Sequence, residues 1–251
     1  MDKRFEGQIA IVTGGASGIG LGIAERIARE GGQVVLFDLA ESKLQEVSKQ
    51  LRDDGLLVER TPVDVTDEQA LETAMGDVVR QYGQLDIVVN CAGIIGPSAT
   101  KIADYPLAAF EKVLKVNLVG TFLVTQCAIR HMLPRNYGRI LLLASMAGKD
   151  GNPGMAGYTA SKAGVFGLVK GIGKEYAQTG ITVNGLAPAV IATPMNQATA
   201  PDQLTYMTSL IPMRRLGTVE EVASLACWIV SKEATFNTGF VFDLSGGRAT
   251  Y

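Results

Sequence analysis

Cysteine, histidine and tryptophan are scarce in this chain of 251 residues, which has three, one and one of them. Cys91, Cys127 and Cys227 are odd in number, far apart and at no metal-ligand spacing. That pattern speaks against a disulfide framework or a cysteine zinc site and leads us to expect the reduced thiols of a cytoplasmic protein. Cys91 reads first as a small buried apolar residue, with a reactive thiol as the alternative. His131 cannot by itself anchor a histidine-based metal site and reads as a helix-surface residue, so no metal is expected. Long apolar runs are missing as well. Nothing approaches the roughly 18–20 residues that a bilayer span requires, and no apolar stretch follows the polar start Met1-Asp2-Lys3-Arg4-Phe5-Glu6, as a secretory signal would need. Charge of one sign is missing too. A formal net charge of −2 offers no basic surface to nucleic acid. Neither a membrane nor a nucleic acid is an expected partner, which leaves a small molecule.

What is present is apolar material in a regular order. Hydrophobic residues make up 47% of the chain, enough for one substantial core, and one domain over residues 1–251 is expected. Short runs rich in Val, Ile and Leu occur at Ile9–Val12, Val34–Phe37, Leu56–Val65, Leu85–Val89, Ile140–Leu143, Ile181–Leu186 and Phe240–Leu244. Most lack polar alternation, as strands buried on both faces do. Helix-length segments separate them: Gly18–Glu30, Glu41–Asp53, Asp67–Tyr82, Ala108–Leu133, Tyr158–Gln178 and Val219–Val230. The alternation implies a doubly wound α/β fold of Rossmann type, with a seven-stranded parallel sheet and helices on both faces. One stretch, 187–217, breaks the rhythm with Pro188, Pro194, Pro201 and Pro212. An interruption of that length reads as a substrate loop or lid, or else as an excursion packed at a subunit interface.

Thr13-Gly14-Gly15-Ala16-Ser17-Gly18-Ile19-Gly20 follows the first strand and opens a helix. Glycines there let the backbone turn sharply and approach a pyrophosphate, which the free N–H groups and positive end of the helix attract. Asp38 ends the second strand, close to the separation at which a carboxylate meets the adenosine ribose. It can accept from both ribose hydroxyls and would repel a 2′-phosphate, and neither Gly15 nor Ala16 supplies an offsetting cation. NAD rather than NADP is the expected cofactor. Asp64-Val65 is expected near the adenine, and Asn90-Cys91-Ala92-Gly93 beside the cofactor at the end of the fourth strand.

Tyr158 and Lys162 are four apart on an expected helix, so they share a face. Ser145 closes the fifth strand, at the carboxyl edge where open sheets bind ligands. Hydride transfer at a carbonyl carbon requires a proton to move at the oxygen. A tyrosine with its ordinary pKa near 10 is a poor base at neutral pH, and a nearby lysine ammonium together with the positive nicotinamide favours its phenolate. A serine hydroxyl can hold the reacting oxygen.

With these residues in order, the sequence resembles the short-chain dehydrogenases/reductases over essentially its whole length. The resemblance implies that Tyr158 is the acid/base and that Lys162 binds the nicotinamide ribose and lowers the tyrosine pKa. Ser145 would position the carbonyl, and Asn117 would hold the water of a proton relay. Gly14, Ser17, Gly18, Ile19, Gly20, Asp38, Asp64, Val65, Asn90, Ala92, Gly93, Pro188, Ile191 and Thr193 would line the cofactor, Thr193 at the carboxamide. Pro188-Ala189 replaces the usual Pro-Gly, and since Ala189 cannot take positive φ cheaply, a small change in that loop is expected. A homotetramer is also implied. The end of the chain resembles the 2-keto-3-deoxy-L-fuconate dehydrogenases, a branch that oxidises deoxy sugar acids. A substrate site with Ser145, Asn152 and either Lys149 or Arg248 on a carboxylate follows, the basic residue coming from the same or a neighbouring subunit; solvated charges or salt bridges are the alternative. Two other readings stay open. One is a 3-oxoacyl-carrier-protein reductase, with Arg130 and Lys174 docking the carrier. The other is a protein that senses NAD without turnover.

Overall fold

The computed structural model describes residues 3–193 and 201–249, residues 201–203 by their backbone alone. Seven strands form one parallel sheet: β1 (Ile9–Thr13), β2 (Gln33–Asp38), β3 (Val58–Pro62), β4 (Ile87–Asn90), β5 (Gly138–Leu143), β6 (Ile181–Pro188) and β7 (Val241–Leu244). Their order is β3-β2-β1-β4-β5-β6-β7, so the chain reverses direction across the sheet between β1 and β4. Strand alternation sends Ile9, Ile11, Val35, Phe37, Val88 and Ile140 into the core on one face. Ala10, Val12, Val34, Leu36, Ile87 and Leu141 enter the core on the other. Both faces are therefore covered, which is why these strands read as continuous apolar runs.

The helices are α1 (Gly18–Arg29), α2 (Glu41–Asp53), α3 (Glu68–Tyr82), α4 (Leu107–Leu114), α5 (Gly120–Met132), α6 (Met146–Asp150), α7 (Ala156–Glu175), α8 (Pro201–Ser209) and α9 (Val219–Ile229). Asp67 caps α3 by accepting from the Ala70 amide at 2.9 Å, and Gly83 ends it in the left-handed region with φ +75°. One expectation needs correction: the single helix expected over Ala108–Leu133 is two helices joined by a π turn at Lys115–Val119. The segment 187–217 carries structure of its own, since Pro201 opens α8, a position where a missing N–H costs nothing, and Ile191 bridges to Gly217. Pro194 and Met195 of that segment lie outside the described residues.

The carboxyl ends of β1 and β4 are in register, with Thr13 opposite Asn90. The crevice at such a reversal is where open α/β sheets receive ligands.

Candidate active site

Two short interactions shape the crevice. Gly14 has φ +64°, and a β-carbon on it would lie 2.9 Å from the Ala92 amide nitrogen, so only glycine lets the first loop close against the end of β4. Thr13 Oγ1 donates to Asn90 Oδ1 at 2.6 Å and accepts from the Ala92 amide at 3.2 Å, and Asn90 Nδ2 donates to Thr121 Oγ1 at 2.8 Å. Asn90 thus ties β1 and β4 to α5 from a buried position and does not line the cavity itself.

The cavity has a volume of about 800 Å³ and runs along the carboxyl edge of the sheet. Asp38, Asp64 and Val65 line one end; Gly14, Ser17, Gly18, Ile19 and Gly20 follow, then Ala92 and Gly93. Ser145, Tyr158, Lys162, Pro188, Ile191 and Thr193 line the rest. The fit to a dinucleotide can be tested on the loop. Ser17 is the N-cap of α1 yet its side chain makes no capping hydrogen bond, so the first amides of the helix are left for an anion. Asp38 is held in place by the Ala16 amide on Oδ2 and the Ala40 amide on Oδ1, each at 3.0 Å. These residues suit a dinucleotide without a 2′-phosphate. Ala189 keeps out of positive φ, as an alanine should, and its amide donates to the Leu244 carbonyl at 2.9 Å.

At the other end, α6 and α7 bring Ser145, Tyr158 and Lys162 together. Ser145 is the N-cap of α6, its hydroxyl accepting from the Ala147 amide at 3.1 Å. Lys162 Nζ donates to the Leu143 carbonyl at 2.6 Å and lies 5.8 Å from the centre of the Tyr158 ring. Burial lowers Lys162 to about 8, with Cys91 opposing weakly. Tyr158 departs from expectation. Burial raises the phenol, and the Ser145 hydroxyl hydrogen-bonded to it lowers it only in part. The protein's own groups therefore do not depress the tyrosine.

Asn117 sits in the π turn, fully buried, with its amide committed at both ends. Oδ1 accepts from the Ile94 amide at 2.8 Å; Nδ2 donates to the Ile94 carbonyl at 2.8 Å and to Ser161 Oγ at 3.0 Å. It is not on the cavity wall. Such turns recur at functional sites because they turn a side chain out of helical register.

The two basic candidates part company. Arg248 lines the cavity, its Nε donating to Asp150 Oδ2 at 2.8 Å and its Nη2 to Asn152 Oδ1 at 3.1 Å, and Asn152 also lines it. It reaches the cavity of its own chain. Lys149 is not on the wall; its ammonium meets Asp243 Oδ2 at 2.6 Å. Lys112, Lys115 and Met155 line the cavity without having been singled out in the sequence, and so does Met207 of the 187–217 segment, where it suits a lid or an interface equally. A lysine pair on an amphipathic helix and isolated methionines carry no signal of their own there. Cys91 is on the wall, and burial pushes its thiol up to about 12, which favours the inert reading.

Comparison with known proteins agrees with this geometry. Residues 8–204 match the family described as short chain dehydrogenase. A 2-dehydro-3-deoxy-L-rhamnonate dehydrogenase (NAD(+)) of Sphingomonas sp. (strain SKA58) is 42% identical over 248 residues, covering 99% of this chain and 98% of that protein. The 3-oxoacyl-[acyl-carrier-protein] reductase FabG of Escherichia coli (strain K12) is 34% identical over 245 residues, covering 97% and 98%. Among solved structures, that of gox2181 superposes with a TM-score of 0.95 at 33% identity, covering 98% of this chain and 97% of its own. A match that takes in both the glycine-rich loop and the Ser145–Tyr158–Lys162 group, together with relatives aligned end to end, makes this chain a member of the short-chain dehydrogenase family.

Proposed function

We propose that this oxidoreductase uses NAD to interconvert a secondary alcohol and a ketone on a small acidic sugar derivative, a deoxy sugar acid of the kind named for the Sphingomonas relative. The observation that carries the substrate reading is Arg248. Its guanidinium lines the cavity that Ser145 and Tyr158 also line, pre-aimed by Asp150 and Asn152. A fixed guanidinium is the side chain best matched to a carboxylate. The glycine-rich loop, Asp38, Asp64-Val65, Ala92-Gly93 and Pro188–Thr193 would hold NAD, which would supply the hydride acceptor. Tyr158 takes the hydroxyl proton at Oη while Ser145 Oγ holds the substrate oxygen. Lys162, anchored on the Leu143 carbonyl at 2.6 Å, would offer its ammonium to the cofactor ribose when NAD is bound. Asn117 acts by holding the π turn against Ile94 and Ser161, its side chain being committed. With burial leaving the phenol high, the depression would fall to the positive charge of an oxidised nicotinamide.

Replacing Arg248 by Ala tests this. Loss of a charge-assisted hydrogen bond costs about 1.5–3 kcal/mol, so KM for an acidic substrate should rise roughly 10- to 100-fold with kcat little changed. Lys149→Ala should leave KM where it was. Equal KM values for wild type and Arg248→Ala would remove the carboxylate site.

The rival reading, reduction of a carrier-bound 3-oxoacyl thioester, is less well supported. Asp38 disfavours a phosphorylated dinucleotide, and Arg130 is turned toward Glu68 and Glu72, within 4.0 Å of both. The same proposal takes residues 1–251 as one domain and 187–217 as a lid, supported by Met207 of α8 on the cavity wall. It takes the working form as a cytoplasmic homotetramer, supported by three free cysteines and by two separate exposed apolar faces. No described helix is long and apolar enough to cross a membrane.

A further inference from the structure

The chain's one histidine belongs to a second cluster, none of whose members lines the cavity. Cys127 and His131 are one turn apart on α5 and so share a face, and Glu72 faces them from α3. Cys127 Sγ donates to Glu72 Oε2 at 3.3 Å, and His131 Nε2 lies 3.2 Å from Glu72 Oε1. The sulfur, the imidazole nitrogen and the carboxylate oxygen all fall within 4.8 Å of one another. The His131 Nε2 atom is shielded from solvent and makes no directed hydrogen bond, although the carboxylate is beside it. A polar nitrogen in that condition is an unusual feature of a finished side-chain network.

The spacing is within reach of a metal polyhedron. With zinc-to-ligand bonds of roughly 2.0–2.3 Å, a tetrahedral site has N···O edges of about 3.3 Å and S···O edges of about 3.5 Å. The observed 3.2 and 3.3 Å run to the two different oxygens of Glu72, so the carboxylate must turn to offer one of them as the common vertex, within a group whose ligand atoms lie no more than 4.8 Å apart. We propose that Glu72, Cys127 and His131 form a binding site for a borderline divalent cation of the Zn²⁺ type, clamping α3 to α5. Thiolate, imidazole and carboxylate together select such an ion over Mg²⁺ or Ca²⁺. Three protein ligands leave the fourth position to water, and access exists because Glu72 is 41% and His131 20% exposed at the side chain. Binding releases the thiol proton to solvent. The nearby positive charge does not block it. Arg130 Nη1 is 3.8 Å from Glu72 and 4.0 Å from Glu68, so it can remain paired with Glu68 when the metal takes Glu72. The ligands are 55 residues apart along the chain, from Glu72 to Cys127, which is why no sequence spacing announces them.

The test is Co²⁺ titration of the metal-stripped full-length protein, read by visible and near-ultraviolet absorption. The wild type should take up one Co²⁺ per chain with the intense bands of a tetrahedral site and a thiolate-to-metal charge-transfer band, both lost on adding Zn²⁺. Cys127→Ser should lose the charge-transfer band. His131→Gln, a change at a partly exposed ring that the fold should tolerate, should weaken Co²⁺ binding at least tenfold; it carries the test alone if Cys127→Ser does not fold. Circular dichroism and NAD binding, which do not depend on this cluster, should be unchanged in every folded variant. No tetrahedral spectrum in the wild type, or the same spectrum and affinity in the variants, overturns the site.

Discussion

Lys162 shows at the scale of one residue how function is set against stability. Burial lowers its ammonium to about 8, where an unfolded lysine stays protonated to 10.5. Between those values the unfolded chain holds more protons, so this residue's contribution to stability rises as pH climbs from about 8 toward 10.5 and is at its least favourable below 8. The shift corresponds to roughly 3 kcal/mol, and loss of the bond to the Leu143 carbonyl offsets about 1 kcal/mol or more of it. Lys162→Met is therefore expected to melt about 2–6 °C higher at pH 7, to flatten the alkaline rise in stability and to abolish turnover. A lower melting temperature at pH 7 would show that the hydrogen bond outweighs the burial cost. That a phenol, an ammonium and a hydroxyl would meet at one strand edge was legible in the sequence, and Tyr158, Lys162 and Ser145 do line one cavity there. The choice between Lys149 and Arg248 was not, since each cation has an acidic partner supplied by distant chain, Asp243 for one and Asp150 for the other. The state of Tyr158 was also hidden, because burial depends on how α7 packs, not on its neighbours in sequence.

At the scale of elements, apolar periodicity located every strand of the sheet, with differences of a few residues at the ends. It failed where a helix departs from ideal geometry. The run Ala108–Leu133 keeps its amphipathic pattern straight through the π turn, so nothing in the spacing reveals that Asn117 is turned inward there. It failed again at α6, only five residues long, and at α8, hidden among prolines that otherwise signal loops. The start of α9 is the opposite case. Thr218 Oγ1 accepts from the Glu221 amide at 3.2 Å and Glu221 Oε2 accepts from the Thr218 amide at 2.9 Å, a reciprocal cap just after the Ile191–Gly217 bridge. Arg215 holds the same Glu221 and, with the Thr218 amide, lowers its carboxyl to about 2. Thr218→Ala should cost about 1 kcal/mol, a fall of roughly 2–4 °C in melting temperature. An unchanged melting temperature would mean that solvent satisfies the freed amide equally well.

At the scale of the whole molecule, the parallel sheet and its crevice followed from seven apolar runs separated by helices, whereas the proposed tetramer rests on exposed apolar side chains that the sequence does not mark. Leu107 of α4, Val119 of the π turn and Phe122 of α5 are exposed, and so are Phe236 and Phe240 ahead of β7, the last strand of the sheet. Two distinct apolar faces are what a tetramer with dihedral symmetry requires, each face meeting its own copy. Phe122→Glu and Phe240→Glu should each leave dimers by light scattering, and a monomeric wild type would contradict the assembly. The chemistry of the site is tested most directly by following NADH formation when NAD is offered with deoxy sugar acids, aldonates, small polyols and 3-hydroxyacyl thioesters, in the wild type and in Asp38→Ser. We predict turnover confined to the sugar acids, at least tenfold better with NAD than with NADP, the preference collapsing in the variant. Turnover confined to thioesters, or a wild type that prefers NADP, would contradict it.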